Sequence, residues 1–286
     1  MILLADSGST KTDWRLLATP DSAQQVISDG INPYFEDSEQ IITKLRQQLI
    51  PSIDPESVSR IFYYGTGCNS PASCGTVETA LRTLFPGLTA VEVASDMVGA
   101  ARGAAGQEQG IVCILGTGSN ACCYDGHEIV RWGQPLGFWL GDEGSGGYLG
   151  KTLVRDAFQH RMPAGLREVF DRQYQLDRAT LLENAYRKPF PNRYFAAFTP
   201  FLSEHLTHPY VQQLVRQAFR DFLTIYVKPF PEAADWPVHF VGSIAWYFAE
   251  ILRDEVTGNS CRMGDILKAP GDGLVRYHRQ ISSRNG

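Results

Sequence analysis

The chain has 286 residues, 43% of them hydrophobic, with a formal net charge of -5 and a pI near 5.7. That length allows sizeable cores in two domains, the acidic balance disfavours a general nucleic-acid surface, and no apolar run approaches the roughly 20 residues that span a bilayer. Nothing at the amino terminus resembles a signal peptide, so a cytoplasmic protein with reduced thiols is expected. The six cysteines form no CxxC pair and the six histidines no HExxH, which argues against structural zinc.

In chain order, Ile2 to Ala5 is apolar, Asp6, Ser7, Gly8, Ser9, Thr10, Lys11 and Thr12 form a polar turn, and Trp14 to Leu17 is apolar again. The pattern predicts a β-hairpin with a chemically loaded tip. Gly8 frees the backbone to turn successive N–H groups toward one anion. Ser9, Thr10 and Thr12 add hydroxyls and Lys11 a charge, which suits a phosphate. Asp6, at the end of the first strand, is placed to hold hydrated Mg²⁺ against the same phosphates. The competing reading is an ordinary Asp/Gly turn.

After a turn-rich segment (30–35), Ile41, Ile42, Leu45 and Leu49 mark a helical face with Ser38 as its N-cap. A strand over 60–64 ends in Gly65-Thr66-Gly67, a helix over 74–85 turns Val77, Leu81, Leu84 and Phe85 inward, and a strand covers 90–94. Asp96 follows directly and opens a small-residue helix. It reads either as a cap beside Ser95 or as a general base at a strand's carboxyl end, kept ionised by the helix dipole.

The GQEQG segment (106–110) has linker composition and divides the chain into an N-terminal domain, 1–107, and a C-terminal domain, 108–286. Beyond it the opening pattern recurs. Ile111 to Leu115 is apolar, Gly116, Thr117, Gly118, Ser119 and Asn120 form a small polar turn, and Ala121 to Tyr124 is apolar. Asp125-Gly126 then signals a hairpin. Two such turns suit a polyphosphate gripped from two sides, and without a GxxxxGK[ST] run the chain is not a P-loop protein. The run GFWLGDEGSGGYLG (137–150) before a helix over 148–158 implies close approach by backbone or ligand, with Asp142 and Glu143 placed for hydroxyl recognition.

Residues 159–237 read as a helical insertion, including helices over 193–206 and 211–226. A strand over 238–241 enters Gly242-Ser243 and a helix over 244–253, an arrangement that also occurs at nucleotide edges. A strand over 263–267 and a helix over 272–281 close the chain, the helix carrying Leu274, Val275, His278 and Ile281 on one face and able to cross to the N-terminal domain.

Together, DSGSTKT (Asp6 to Thr12), SDMVGAARG (Ser95 to Gly103), LGTGSNA (Leu115 to Ala121), GDEGSG (Gly141 to Gly146) and FVGSIA (Phe240 to Ala245) carry a resemblance. Along almost its whole length the chain resembles the N-acetylglucosamine kinase group of the sugar kinase, actin and heat-shock chaperone superfamily, relatives of the benzoyl-CoA reductase-type ATPases. The resemblance implies an α/β fold of two ribonuclease-H-like (actin-like ATPase) domains with a central cleft for ATP and a sugar. It implies ATP-dependent phosphorylation of an amino-sugar hydroxyl, N-acetylglucosamine to its 6-phosphate, with Asp96 as the base and Asp6 positioning Mg²⁺ through water. ATP and its phosphates would be held by Gly8, Ser9, Thr10, Lys11, Thr12, Gly116, Thr117, Gly118, Ser119, Gly242 and Ser243. The sugar would meet Asn32, Asp96, Thr117, Asn120 and Asp142.

The chain also departs from that pattern. Where the group commonly reads GWGH before GDEGS, this chain has PLGF (Pro135 to Phe138), and Gly242-Ser243 stands where many relatives have two glycines. The cysteine-rich zinc motif of the superfamily's bacterial repressor/kinase group is absent. The partners expected are a small-molecule sugar, with no nucleic acid and no membrane, and homodimerisation is left open. Two other readings stay open: a nucleotide- or sugar-binding regulatory module without turnover, and an ATPase activator of a dehydratase or reductase. Against the activator, Leu115 replaces the acidic residue that typically opens its second turn, and the cysteines show no cluster pattern.

Overall fold

The computed structural model describes residues 1–8, 10–18 and 22–284, so Ser9 is the one expected site residue outside the described residues. The chain forms two compact units, one from Met1–Glu108, Tyr124–Ile129 and Ala269–Gly286 and the other from Gln109–Cys123 and Val130–Lys268.

In the first unit, β1 (Ile2–Ser7), β2 (Lys11–Leu17), β3 (Ala23–Asp29), β4 (Arg60–Gly65) and β5 (Ala90–Ser95) make a sheet in the order β3-β2-β1-β4-β5. β1, β2 and β3 pair antiparallel, while β1, β4 and β5 run parallel. The strand period of two sends Leu3 and Ala5 into one core with Trp14 and with Ile41, Leu45, Val77 and Leu81 of α1 (Ser38–Gln48) and α2 (Pro71–Leu84). Leu4 and Tyr64 face the other side, where they pack with Leu274 and Val275 of the C-terminal helix (Gly271–Arg284) beside α3 (Asp96–Ala104). The two helices cross closely enough that a Cβ on Gly273 would overlap the backbone of Gly103.

Local chemistry sets the boundaries. α1 is capped by Asp37 rather than Ser38, through a reciprocal capping box with Gln40, a device typically worth about 1 kcal/mol. α2 begins at Pro71, earlier than the hydrophobic pattern indicates, because Ser70 and Ser73 form a second box around a proline that needs no donor. β3 has no counterpart in the sequence reading. It is an edge strand bonded through its backbone to β2, and its run AQQVISD leaves Ile27 48% exposed. Its buried Ser28 accepts a hydrogen bond from Trp14 Nε1 at 2.9 Å.

The second unit carries β6 (Gly110–Leu115), β7 (Ser119–Tyr124), β8 (Ile129–Trp132), β9 (Pro237–Val241) and β10 (Arg262–Leu267), ordered β10-β9-β6-β7-β8. Outward from β6 this repeats the arrangement found outward from β1, again with the strand after the crossover parallel. Between β8 and β9 lie α4 (Gly137–Leu140), α5 (Gly146–Phe158), α6 (Ala164–Tyr174), α7 (Arg178–Tyr186), α8 (Pro191–Ala196), α9 (Thr199–Glu204) and α10 (Pro209–Phe222), which ends in a π turn, Leu223–Val227. α11 (Ser243–Tyr247) and α12 (Ala249–Gly258) join β9 to β10. The stretch expected as one helix over 193–206 is broken near Phe198, since Pro200 in the first turn of α9 cannot donate backward. Leu115, Leu149, Leu153, Phe219, Phe222 and Phe240 lie in one core.

The chain is therefore α/β, with two five-stranded mixed sheets. All six cysteines are free thiols. Among the described residues no helix is long and apolar enough to cross a membrane.

Candidate functional site

In the first unit the chemistry gathers where the parallel strands end. Ser7, Gly65 and Ser95 are level across β1, β4 and β5, which puts Asp6 and Asp96 at one carboxyl edge of the sheet. Asp96 is the first residue of α3. Ser95 caps the helix through the Met97 N–H at 3.2 Å and donates its hydroxyl to Asp96 Oδ1 at 3.1 Å. Burial raises the Asp96 carboxyl above its ordinary range, and hydrogen bonds from Ser95, the Met97 N–H and Thr66 pull it back in part.

The Asp6 carboxyl makes no hydrogen bond or ion pair among the described residues. Burial, then the charges of Asp96 and Asp13, push its carboxyl up to about 7, against the pull of Lys11 and Arg15. Asp13 is already answered: Arg15 grips both its oxygens at 2.9 and 3.0 Å, and Gln25 donates to both at 3.0 Å. The unbalanced negative charge thus sits on Asp6 and Asp96. Among the described residues no three His, Cys, Asp or Glu side chains converge as a metal site. One crowded carboxylate whose side chain is unpartnered among the described residues, beside a glycine-containing hairpin turn, fits Mg²⁺, which commonly takes one or two carboxylates and completes its shell with water and substrate phosphate.

The hairpin tip is closed by Gly8 N–H donating to the Lys11 carbonyl at 3.0 Å. Thr12 is fully buried, bonded to Ser7 Oγ at 2.8 Å and donating to the Asp29 carbonyl, so its hydroxyl is spent inside the hairpin. Thr10 and Lys11 are exposed. A Cβ on Gly8 would meet only the Lys11 carbonyl, at 3.7 Å, and the backbone there is not left-handed, so no internal contact demands this glycine. Asn32 Oδ1 accepts from the Tyr34 N–H at 3.0 Å and lies 2.6 Å from where a Cβ on Gly67 would stand. Asn32 is thus seated on the Gly65-Thr66-Gly67 turn whose Thr66 reaches Asp96.

In the second unit the turn from Gly116 to Ser119 is built against the N-terminus of α5. Gly146 N–H donates to the Gly116 carbonyl at 2.8 Å and Gly147 N–H to the Thr117 carbonyl at 3.0 Å. Much of the glycine run follows from this close approach, since a Cβ on Gly147 would press on both Thr117 O and Phe138. Asp142, left-handed at φ 61° and 7% exposed, approaches the Ser119 N–H with Oδ1 at 3.4 Å, and burial raises its carboxyl. Glu143 accepts from Tyr226 Oη at 2.9 Å, and Asn120 Oδ1 from the Ala121 N–H at 2.8 Å. The hydroxyl of Thr117 has no partner among the described residues. A Cβ on Gly116 would meet nothing within 4 Å. Gly242 differs, with φ 130° and no room for a Cβ against the Leu115 carbonyl. Its close seat brings the Gly242-Ser243 turn beside the Gly116 turn, with Ser243 exposed.

Two participants escaped the sequence reading. Thr66 stood between two glycines and read as part of a plain turn. Lys151, in the middle of α5, donates to the Phe138 carbonyl at 2.8 Å and stands 4.6 Å over the Phe138 ring, pinning α4; burial lowers its ammonium pKa. Its signal, a lysine one turn after a glycine-rich helix start, is too common to single out.

No protein-family model matches the chain, and no curated protein matches it significantly. Among solved structures it is similar to a candidate N-acetylglucosamine kinase from Porphyromonas gingivalis, with 42% identity over 98% of this chain and 99% of that one and a TM-score of 0.94. A candidate N-acetylglucosamine kinase from Chromobacterium violaceum shares 21% identity over 96% and 98% of the two chains, with a TM-score of 0.73. A ROK-family glucokinase from Streptomyces griseus, solved with glucose and AMPPNP, shares the fold at 14% identity over 99% and 100%, with a TM-score of 0.54.

Proposed function

The chain belongs to the N-acetylglucosamine kinase group of the sugar kinase, actin and heat-shock chaperone superfamily, and from that membership we propose that it transfers the γ-phosphoryl group of ATP to an amino-sugar hydroxyl, the 6-hydroxyl of N-acetylglucosamine. The observation that carries this reading is the placement of Asp6 and Asp96 at one carboxyl edge of the sheet, one residue before the aligned Ser7 and one residue after the aligned Ser95, beside a hairpin turn whose Gly8 no internal contact demands.

In this reading Asp96 accepts the proton of the sugar hydroxyl as that oxygen forms its bond to the γ-phosphorus and the bond to the β-phosphate oxygen breaks, releasing ADP. The carboxylic acid left on Asp96 then returns its proton to water. The raised pKa of Asp96 suits this task, because a base titrating nearer neutrality takes a proton more readily than an ordinary carboxylate. Mg²⁺, when held by Asp6 through water, would neutralise phosphate charge. The backbone around Gly8, with Ser9, Thr10 and Lys11 in one turn and Gly116, Thr117, Gly118 and Ser119 in the other, positions the phosphates, while Thr12, its hydroxyl bonded inward, braces the first hairpin from within; Gly242 and Ser243 border the adenosine. Asn32, Thr117, Asn120 and Asp142 are the proposed sugar contacts. Phosphoryl transfer asks mainly for such positioning and charge neutralisation. The free thiols and soluble substrates suit the cytoplasm.

The test is ADP release with ATP, Mg²⁺ and a panel of N-acetylglucosamine, N-acetylmuramic acid, glucosamine and glucose, run beside Asp96→Asn. N-acetylglucosamine-dependent release that Asp96→Asn abolishes is expected; release indifferent to every sugar, or unchanged in Asp96→Asn, overturns the reading.

A further inference from the structure

Away from these strand ends the first unit holds a cavity of about 360 Å³, walled by residues of β4, β5, α3 and the C-terminal helix. One wall is aromatic: the rings of Phe62 and His278 lie 4.1 Å apart, tilted by 36°, with Tyr277 edge-on to His278 at 5.3 Å. The charged groups are two guanidiniums, Arg60 and Arg102, and one carboxylate, Glu92. The Arg102 guanidinium lies over the Tyr64 and Tyr277 rings at 5.6 and 5.4 Å, donates to Tyr64 Oη at 2.7 Å and pairs with Glu92. Its Nε is buried without a hydrogen-bond partner. Arg60 is exposed at the cavity and has no ion pair among the described residues.

The charges do not cancel. His278, bonded to Tyr64 Oη through Nε2 at 2.8 Å, is kept neutral by burial and by Arg102 and Arg60. Two guanidiniums therefore face one carboxylate, Glu92, and one positive charge is left unanswered in a pocket with aromatic walls. We propose that this cavity binds a small planar organic monoanion, an aryl carboxylate, with its ring against Phe62 and Tyr277 and its carboxylate on Arg60. A guanidinium and a planar carboxylate match as paired donors and acceptors, and aromatic walls favour a ring, which meets them edge or face, over an aliphatic chain. The single surplus charge selects a monoanion over a phosphate dianion. The site stands independently of the proposed kinase activity.

The experiment is isothermal titration of the full chain with benzoate, using cyclohexanecarboxylate and inorganic phosphate as comparison probes. Saturable binding of one benzoate per chain is expected, several-fold tighter than cyclohexanecarboxylate and undisturbed by phosphate. Arg60→Ala, at an exposed position, should weaken benzoate at least about tenfold, the usual scale for a charge-assisted contact, and Ser282→Trp should abolish binding by filling the cavity; both should keep the parental Tm. Absence of saturable benzoate binding, displacement by phosphate, or parental affinity in both variants overturns the proposal.

Discussion

A glycine conserving space for itself can be told apart from one conserving space for a ligand, and Gly116 against Gly242 is the test. At Gly116 a methyl group would meet nothing within 4 Å and the backbone is not left-handed, whereas at Gly242 the φ of 130° and the Leu115 carbonyl both refuse a Cβ. Alanine at Gly116 should leave the fold as stable or raise it by about 0.4–1 kcal/mol, through the unfolded chain's lost freedom. At about 2–4 °C per kcal/mol, Tm should stay level or rise slightly. Alanine at Gly242 should cost about 3 kcal/mol or more from strain and overlap. If the open face of Gly116 is where phosphate approaches, its methyl group removes charge-assisted contacts worth about 1.5–3 kcal/mol, a loss of about 10–100-fold in kcat/KM for ATP. Thermal melts and ADP-release kinetics on both variants decide it. A Gly116→Ala protein that melts as early as Gly242→Ala, or that keeps parental kinetics toward ATP, refutes the reasoning.

Other expectations rest on single contacts. Thr66→Val removes a hydroxyl that lowers the Asp96 pKa, so the acidic limb of the pH–rate profile should move to higher pH; an unmoved limb shows that Thr66 does not tune Asp96. His278 is pushed down to about 3 in the fold from an ordinary value of 6.5. The unfolded chain therefore binds the extra proton below 6.5, and His278 makes stability fall as pH drops through that value toward 3, by up to about 1.4 kcal/mol per pH unit. Urea denaturation between pH 6.5 and 5 should show a flatter slope for His278→Gln than for the parent. Glu255 is 4% exposed and accepts from Arg216 and Arg220 at 2.7–3.2 Å, so Glu255→Ala should cost about 2 kcal/mol in urea, with no loss counting against the network. Lys151→Met should speed amide exchange over residues 136–141 while shifting global stability by less than about 1 kcal/mol, since it removes one hydrogen bond.

How legible the molecule is in its sequence depends on what holds each part. The β1–β2 hairpin and the junctions at Asp96, Gly116 and Gly242 show themselves through abrupt changes of hydrophobic pattern. β3 does not, because an edge strand is held by a backbone ladder that its side chains need not advertise. The run around Gly146 and Gly147 announces a close approach, but its partners, the carbonyls of Gly116 and Thr117, are thirty residues earlier and invisible until the chain folds. Carboxylates are the hardest to sort. Asp13 and Asp6 look alike on the page, yet Arg15 and Gln25 satisfy one and leave the other crowded and bare. Thr12 is the converse, a hydroxyl that looks available and is bonded inward.

The C-terminal helix covers Leu4 and Tyr64, side chains translated near the beginning of the chain. During synthesis that face of the first sheet must wait, wet and apolar, while the entire second unit is made, and it is closed only when residues 271–284 arrive. The first unit to be started is thus among the last to be finished, and a chain stalled before Gly271 would carry an exposed apolar face on an otherwise formed sheet.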